Sequence, residues 1–204
     1  MKVDARKLFD EFSHILQVEA IALGGSRATG RNDEKSDYDV YVYITEGIEE
    51  KVRTTILEKY CKYMEIGNTF WELEDDVTLK DGIDMDIIYR DMNNFEKMIS
   101  AVVIDYIPCS GYTTCMWHNL INSKIVYDKN GKLQELQAKY KIPYPKKLKE
   151  NIISNNIKLL KAAVLAARTD GVDTINKVGY NVTVNELTQQ GLAEIDKNTA
   201  HVIL

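Results

Sequence analysis

Three short runs of this chain hold residue types able to do phosphate and metal chemistry: Gly24-Gly25-Ser26, then Asp37-Tyr38-Asp39 after a gap of ten residues, and Asp86 inside the alternating stretch 83–89. Two glycines at the end of a strand let the backbone approach an anion closely, with N–H groups and a hydroxyl aimed at it. Triphosphate oxygens suit such a turn. Gly30 relaxes the turn further along, and Arg27 and Arg31 lie where cations meet the β- and γ-phosphates. Asp37 and Asp39 are two apart on a predicted strand, so both carboxylates project from one face. Asp86 joins them if its strand is a neighbour. Three convergent carboxylates repel one another unless cations sit between them. That arrangement suits a pair of magnesium ions roughly 3.5–4 Å apart, with manganese as the substitute. Hard oxygen donors favour these ions over zinc.

The elements that must position these groups are legible from periodicity. Ala5, Leu8, Phe9, Phe12, Ile15 and Leu16 recur at helical spacing, and residues 18–23 form a short apolar run stopped by the glycines. Residues 37–44 alternate and are rich in Tyr and Val, as strands are. Val52, Ile56, Tyr60 and Met64 predict a helix, and residues 69–73 a further strand. In 83–89, Ile83, Met85, Ile87 and Tyr89 face one way while Asp84, Asp86 and Ile88 face the other. Met92, Phe95, Met98, Ile99, Val102 and Val103 mark the helix that follows. The expected fold class is therefore α+β: a small mixed β-sheet flanked by helices over residues 1–105, then a mainly helical part over 106–204. In that second part Ile153, Ile157, Leu160, Val164 and Ala167 form a stripe announced by Pro143 and Pro145.

Composition narrows the setting. At 204 residues the chain is long enough to bury a core without disulfides or metals as staples. Its net charge is −5 and it contains no long Lys/Arg run, which argues against a long nucleic acid as substrate. The three cysteines, a polar start and the lack of a long apolar run predict a cytoplasmic protein with reduced thiols and no membrane span. The spacing of Cys109, Cys115 and His118 matches no strong zinc pattern, so the cysteines read as structural. Tyr106, Tyr112, Trp117 and His118 read first as packing, and Trp71, Glu72, Asp75 and Asp76 as a solvated acidic loop. Both groups lie where an acceptor pocket is conceivable. The apolar end, Val202-Ile203-Leu204, offers a face for a second subunit and hence a homodimer.

The set Gly25-Ser26, ten residues, Asp37-x-Asp39, with Asp86 in Ile83-Asp84-Met85-Asp86-Ile87-Ile88, resembles the signature of the DNA polymerase β-like nucleotidyltransferase superfamily. Small size and a helical second half are similar to the antibiotic (aminoglycoside and lincosamide) nucleotidyltransferase branch. The spacing is also similar to minimal nucleotidyltransferases that adenylylate toxin partners. The resemblance implies transfer of a nucleoside monophosphate from an NTP, ATP by preference, to a hydroxyl, with release of pyrophosphate. It assigns phosphate contact to Ser26, both metals to Asp37 and Asp39, and the catalytic metal together with help in deprotonating the acceptor to Asp86. Asp84 is the rival for the third acid, on the same face of the same strand. Three readings stay open: a small hydroxylated acceptor such as an antibiotic, a partner protein as acceptor, and a non-catalytic nucleotide-binding module.

Overall fold

Alternating apolar residues at 38–44 and 83–89 are drawn together as the two central strands of a sheet, because each must bury one face completely. Strands β1 (Val18–Leu23), β2 (Tyr38–Ile44), β3 (Cys61–Asn68), β4 (Leu73–Leu79), β5 (Asp84–Asp91) and β6 (Lys124–Asp128) form one six-stranded sheet in the order β3-β4-β5-β2-β1-β6. Only β2 and β5 pair in parallel; the other pairs are antiparallel. Helices α1 (Val3–Ser13), α2 (Gly25–Thr29), α3 (Glu50–Leu57), α4 (Met92–Val103), α5 (Cys115–Asn122) and α6 (Lys132–Tyr140) complete this unit. The computed structural model describes residues 3–31, 33–109, 114–170, 193–195 and 200–202. The fold is α+β, a mixed sheet flanked by helices.

One face of the sheet carries the core. Val40 and Val42 of β2, Met85 and Ile87 of β5, and Ile21 of β1 pack with Leu8, Phe9 and Phe12 of α1 and with Ile56 and Leu57 of α3, all buried. The opposite face is apolar only at one end, where α4 lies over the carboxyl ends of β2 and β5. There the Tyr43 ring meets Phe95 edge-on at 5.2 Å. The start of α4 is fixed at the last residue of β5, because the Asp91 carboxylate accepts the Asn94 N–H at 2.7 Å as a helix cap.

Three sequence expectations are corrected. The helix expected through Tyr60 and Met64 stops at Leu57, and Cys61–Asn68 is an edge strand instead. Tyr60 and Met64 still pack on the core, but from the first turn and strand of a hairpin, so apolar spacing misled where cross-strand pairing to β4 dominates. Residues 69–72 of the strand expected at 69–73 are the hairpin tip, and only Leu73 belongs to a strand, as the first residue of β4. Gly67 has φ +80°, and the Asn68 side chain accepts the Phe70 N–H at 3.0 Å, a local turn that competes with strand pairing. Asp75 and Asp76, read from the sequence as part of a solvated acidic loop, lie within β4, where Asp75 is buried.

The chain forms two compact units, Met1–Tyr144 and Pro145–Leu204. Within the second, α7 (Lys146–Asp170) is a single long helix, and β7 (Ala193–Ile195) pairs antiparallel with β8 (Ala200–Val202). The end of the apolar tail, residues 203–204, lies outside the described residues.

The hairpin is pinned by a buried charge. Asp75 is 0% exposed, on the core face of β4. It pairs with Arg53 of α3, accepts the Tyr89 hydroxyl at 2.8 Å and accepts the Gly67 N–H at 2.9 Å. Arg53 also lies 4.9 Å over the Tyr89 ring. The substitution Asp75→Ala leaves Arg53 buried without its counter-charge, so a loss of about 3–5 kcal/mol is expected in chemical denaturation. A loss below about 1 kcal/mol would contradict this role.

Candidate active site

The site begins with hydrogen-bond register. In the parallel ladder Asp39 of β2 stands opposite Asp86 of β5, and in the antiparallel ladder Asp86 stands opposite Asp76 of β4. Glu65 of β3 stands opposite Asp76 in turn. Paired residues present their side chains on the same face. A row of carboxylates therefore crosses four strands on the face away from the core, and neighbouring strands are roughly 5 Å apart. Asp39, Asp86 and Asp76 are half-buried and Glu65 is exposed. Asp37 lies just ahead of β2, exposed, so its side chain is not fixed by the ladder.

The glycine turn closes onto this row. The Gly24 N–H donates to the Asp39 carbonyl at 2.8 Å, which seats the end of β1 beside the start of β2. Gly25 has φ +54°, and a β-carbon there would sit 1.8 Å from Asp39 Oδ2. Both facts demand glycine: the first on conformational grounds, the second because a carboxylate already fills the space. At Gly24 an added β-carbon would lie 2.7 Å from Cε2 of Tyr41. The turn expected after β1 is in fact the short helix α2, with Gly24 as its cap and Gly30 ending it at φ +70°. Ser26, half-buried, stands one residue beyond the Gly25–Asp39 contact.

Arg27, expected to meet phosphate, reaches the backbone of the loop that precedes β2. Its Nε donates to the Ser36 and Asp37 carbonyls at 3.1 and 2.7 Å, and its guanidinium lies 3.8 Å over the Tyr38 ring. It thereby fixes the backbone from which Asp37 projects. Asp33 organises the same loop, accepting the Lys35 and Ser36 N–H groups at 2.9 and 2.8 Å. Those bonds, with the Ser36 hydroxyl first, hold its carboxyl below the ordinary range.

Crowding leaves its mark on the acids. Asp86 is pushed from the ordinary 3.8 up to about 6, by burial first and then by the carboxylates of Asp76, Asp39, Asp37 and Asp84. Asp39 is raised by burial and by Asp37, and Glu74 by burial, Asp76 and Asp86. The rival third acid, Asp84, is exposed at the head of β5 and accepts the Thr78 hydroxyl at 2.8 Å. It is not the residue in register with Asp39.

Among the described residues, the three acids whose carboxylate oxygens come within 4.8 Å of one another are Glu74, Asp76 and Asp86. Asp37, Asp39 and Asp86 are not gathered so tightly. Glu74 is the residue that sequence reasoning missed, although a signal was present. Glu72, Glu74, Asp76 and Thr78 alternate with Leu73, Val77 and Leu79, and only the inward Asp75 spoils the pattern. The donors are carboxylate oxygens throughout, a set that fits a divalent cation such as magnesium, manganese or calcium.

Because the folded-state pKa of Asp86 lies above its unfolded value, its contribution to stability is fully present below about pH 4 and is lost as pH rises through about 6. In chelator at pH 7.5, Asp86→Asn is expected to stabilise the protein by about 1–2 kcal/mol, after discounting for solvent screening at this half-exposed position. The gain should vanish near pH 4. Destabilisation at neutral pH would contradict the crowding.

Residues 5–110, just over half of the chain, match the family model described as a nucleotidyltransferase domain. No curated protein sequence matches the chain. Solved structures with a related chain path include a nucleotidyltransferase-like protein from Exiguobacterium sibiricum 255-15, at 7% identity and a TM-score of 0.46, covering 93% of this chain and 55% of that one. A structure described as a toxin-antitoxin with AMP-PNP aligns at 13% identity and a TM-score of 0.37, covering 79% of this chain and 98% of that one. A CCA-adding enzyme in its apo form aligns at 13% identity and a TM-score of 0.39, covering 92% of this chain and 45% of that one. The chain thus spans about half the length of the first of these proteins. The glycine turn, the Asp-x-Asp strand and Asp86 all fall inside the matched stretch, and the chain belongs to the nucleotidyltransferase domain family, whose chemistry is nucleotidyl transfer.

Proposed function

We propose that this protein moves a nucleoside monophosphate from an NTP, ATP in the first instance, to a hydroxyl of a small acceptor such as an antibiotic, releasing pyrophosphate. One observation supports the reading most: the in-register pair Asp39 and Asp86, with Gly25 seated directly on the Asp39 carboxylate. The Gly25-Ser26 backbone and the Ser26 hydroxyl take the triphosphate, and Arg27 keeps the Asp37 loop in place beside it. Asp37, Asp39 and Asp86 hold magnesium, which supplies Lewis acidity that acidifies the acceptor hydroxyl and offsets charge on the leaving group. Asp86 accepts the acceptor proton. The acceptor oxygen bonds to the α-phosphorus as the bond to the bridging pyrophosphate oxygen breaks in line.

The test is purified protein with α-labelled ATP, magnesium and a panel of hydroxylated antibiotics, alongside a cell lysate. A labelled small product with pyrophosphate release is expected; a labelled protein band would move the acceptor to a partner protein. Asp39→Asn should lower the rate on the order of 10²–10³-fold, the size seen when one electrostatic partner of a transition state is removed. Gly25→Ala should do the same, since its β-carbon displaces the Asp39 carboxylate. Full activity in either variant would sink the assignment.

A further inference from the structure

Arg90 is a buried charged residue that the reaction outlined above leaves without a task, though it lies on the face of β5 that carries Asp86. It is 5% exposed, and its Nε and Nη2 form a fork on Glu72 at 2.9 and 2.7 Å. Its Nη1 is buried and makes no hydrogen bond, as does the hydroxyl of Tyr43. A fold selected for stability alone would do as well with an apolar chain at such a position. What a guanidinium supplies instead is a rigid plate with a fork, fixed at both ends. The plate lies 4.2 Å over the ring of Tyr41 and 5.1 Å from that of Phe95.

Tyr41 is the link to the reaction. It follows Asp39 by two residues on β2, so both project on one face. The edge of its ring, through Cε2 and the hydroxyl oxygen, occupies the space where a side chain on Gly24 would begin, at 2.7 and 2.9 Å. The contacts form one chain: Glu72 at the foot of the hairpin tip holds Arg90, Arg90 covers Tyr41, and Tyr41 abuts the backbone of Gly24. Gly24 is bonded to the Asp39 carbonyl and leads into Gly25 and Ser26.

We propose that Arg90 is a positioning residue for the nucleotide: clamped by Glu72, it presses Tyr41 against Gly24 and so sets how closely the Gly25-Ser26 turn approaches Asp39. The inference rests on the reading of that turn as the triphosphate site. A displacement of about 1 Å at such a contact is enough to cost one to two orders of magnitude in a bound geometry.

The test measures binding of a non-hydrolysable ATP analogue with magnesium by titration calorimetry, on the full chain, with the melting temperature of each variant beside it. Arg90→Met fills the volume but removes the fork, and is expected to weaken the analogue about tenfold. Arg90→Lys keeps the charge but not the plate and should fail to rescue. Tyr41→Phe keeps the ring and should bind as the wild type does, whereas Tyr41→Leu should resemble Arg90→Met. Val77→Ala, on the core face of β4, serves as a variant of lowered stability with the clamp intact, and should bind normally. Wild-type affinity in Arg90→Met, rescue by lysine, or an equal loss in Val77→Ala overturns the proposal. Wild-type affinity in Ser26→Ala places the failure in the turn itself and overturns both readings.

Discussion

The parallel pairing of β2 with β5 is the constraint on which the site depends. It sets Asp39 against Asp86 residue for residue, and a slip of one position would turn every acid into the core and every core residue outward. The pairing is held by what lies beneath: Val40 and Val42 alternate with Asp39 and Tyr41 of β2, Met85 and Ile87 with Asp84 and Asp86 of β5, and all four apolar residues are buried. The hydrophobic face thus determines where the charged face points. Gly25 then brings the end of β1 onto the same row, because no other residue fits above the Asp39 carboxylate.

Strand β4 shows the same logic under tension. Its sequence places three acids in succession, and the pleat sends the middle one inward and its neighbours outward. Inward, Asp75 is matched by Arg53, the Tyr89 hydroxyl and a backbone N–H, so a buried charge becomes a fastening for the hairpin. Outward, Glu74 and Asp76 add to a crowd of like charges that raises the carboxyls of Glu74 and Asp86. The row is costly at neutral pH unless cations share it.

Much of this was legible in the sequence, and the exceptions have physical causes. Strand β1 follows from its apolar run, β2 and β5 from alternation, and helices α1 and α4 from helical spacing, since none of them carries a charge into the core beneath the sheet. The glycines flagged a close backbone approach, and the structure supplies the group approached, Asp39. The β3–β4 hairpin was misread because Tyr60 and Met64 continue the spacing of α3 by coincidence, and because Asp75 hides the alternation of β4. Nothing local in the sequence could say that Asp75 would meet Arg53, a partner 22 positions away. The charge of Arg27 was legible, whereas the carbonyls of Ser36 and Asp37 that it reaches were not, because they depend on the path of the loop between α2 and β2. The contacts of Glu72, Arg90 and Tyr41 were illegible for the same reason: they join the β3–β4 hairpin tip to two strands.

The most direct measurement is a crystal structure with a non-hydrolysable ATP analogue and manganese, whose anomalous signal locates the ions without ambiguity. The account requires metal density bridging the carboxylates of Asp39 and Asp86, with triphosphate oxygens against the backbone of Gly25 and Ser26. Triphosphate bound away from that turn, or metal held by Glu74 and Asp76 with Asp39 uninvolved, would contradict it.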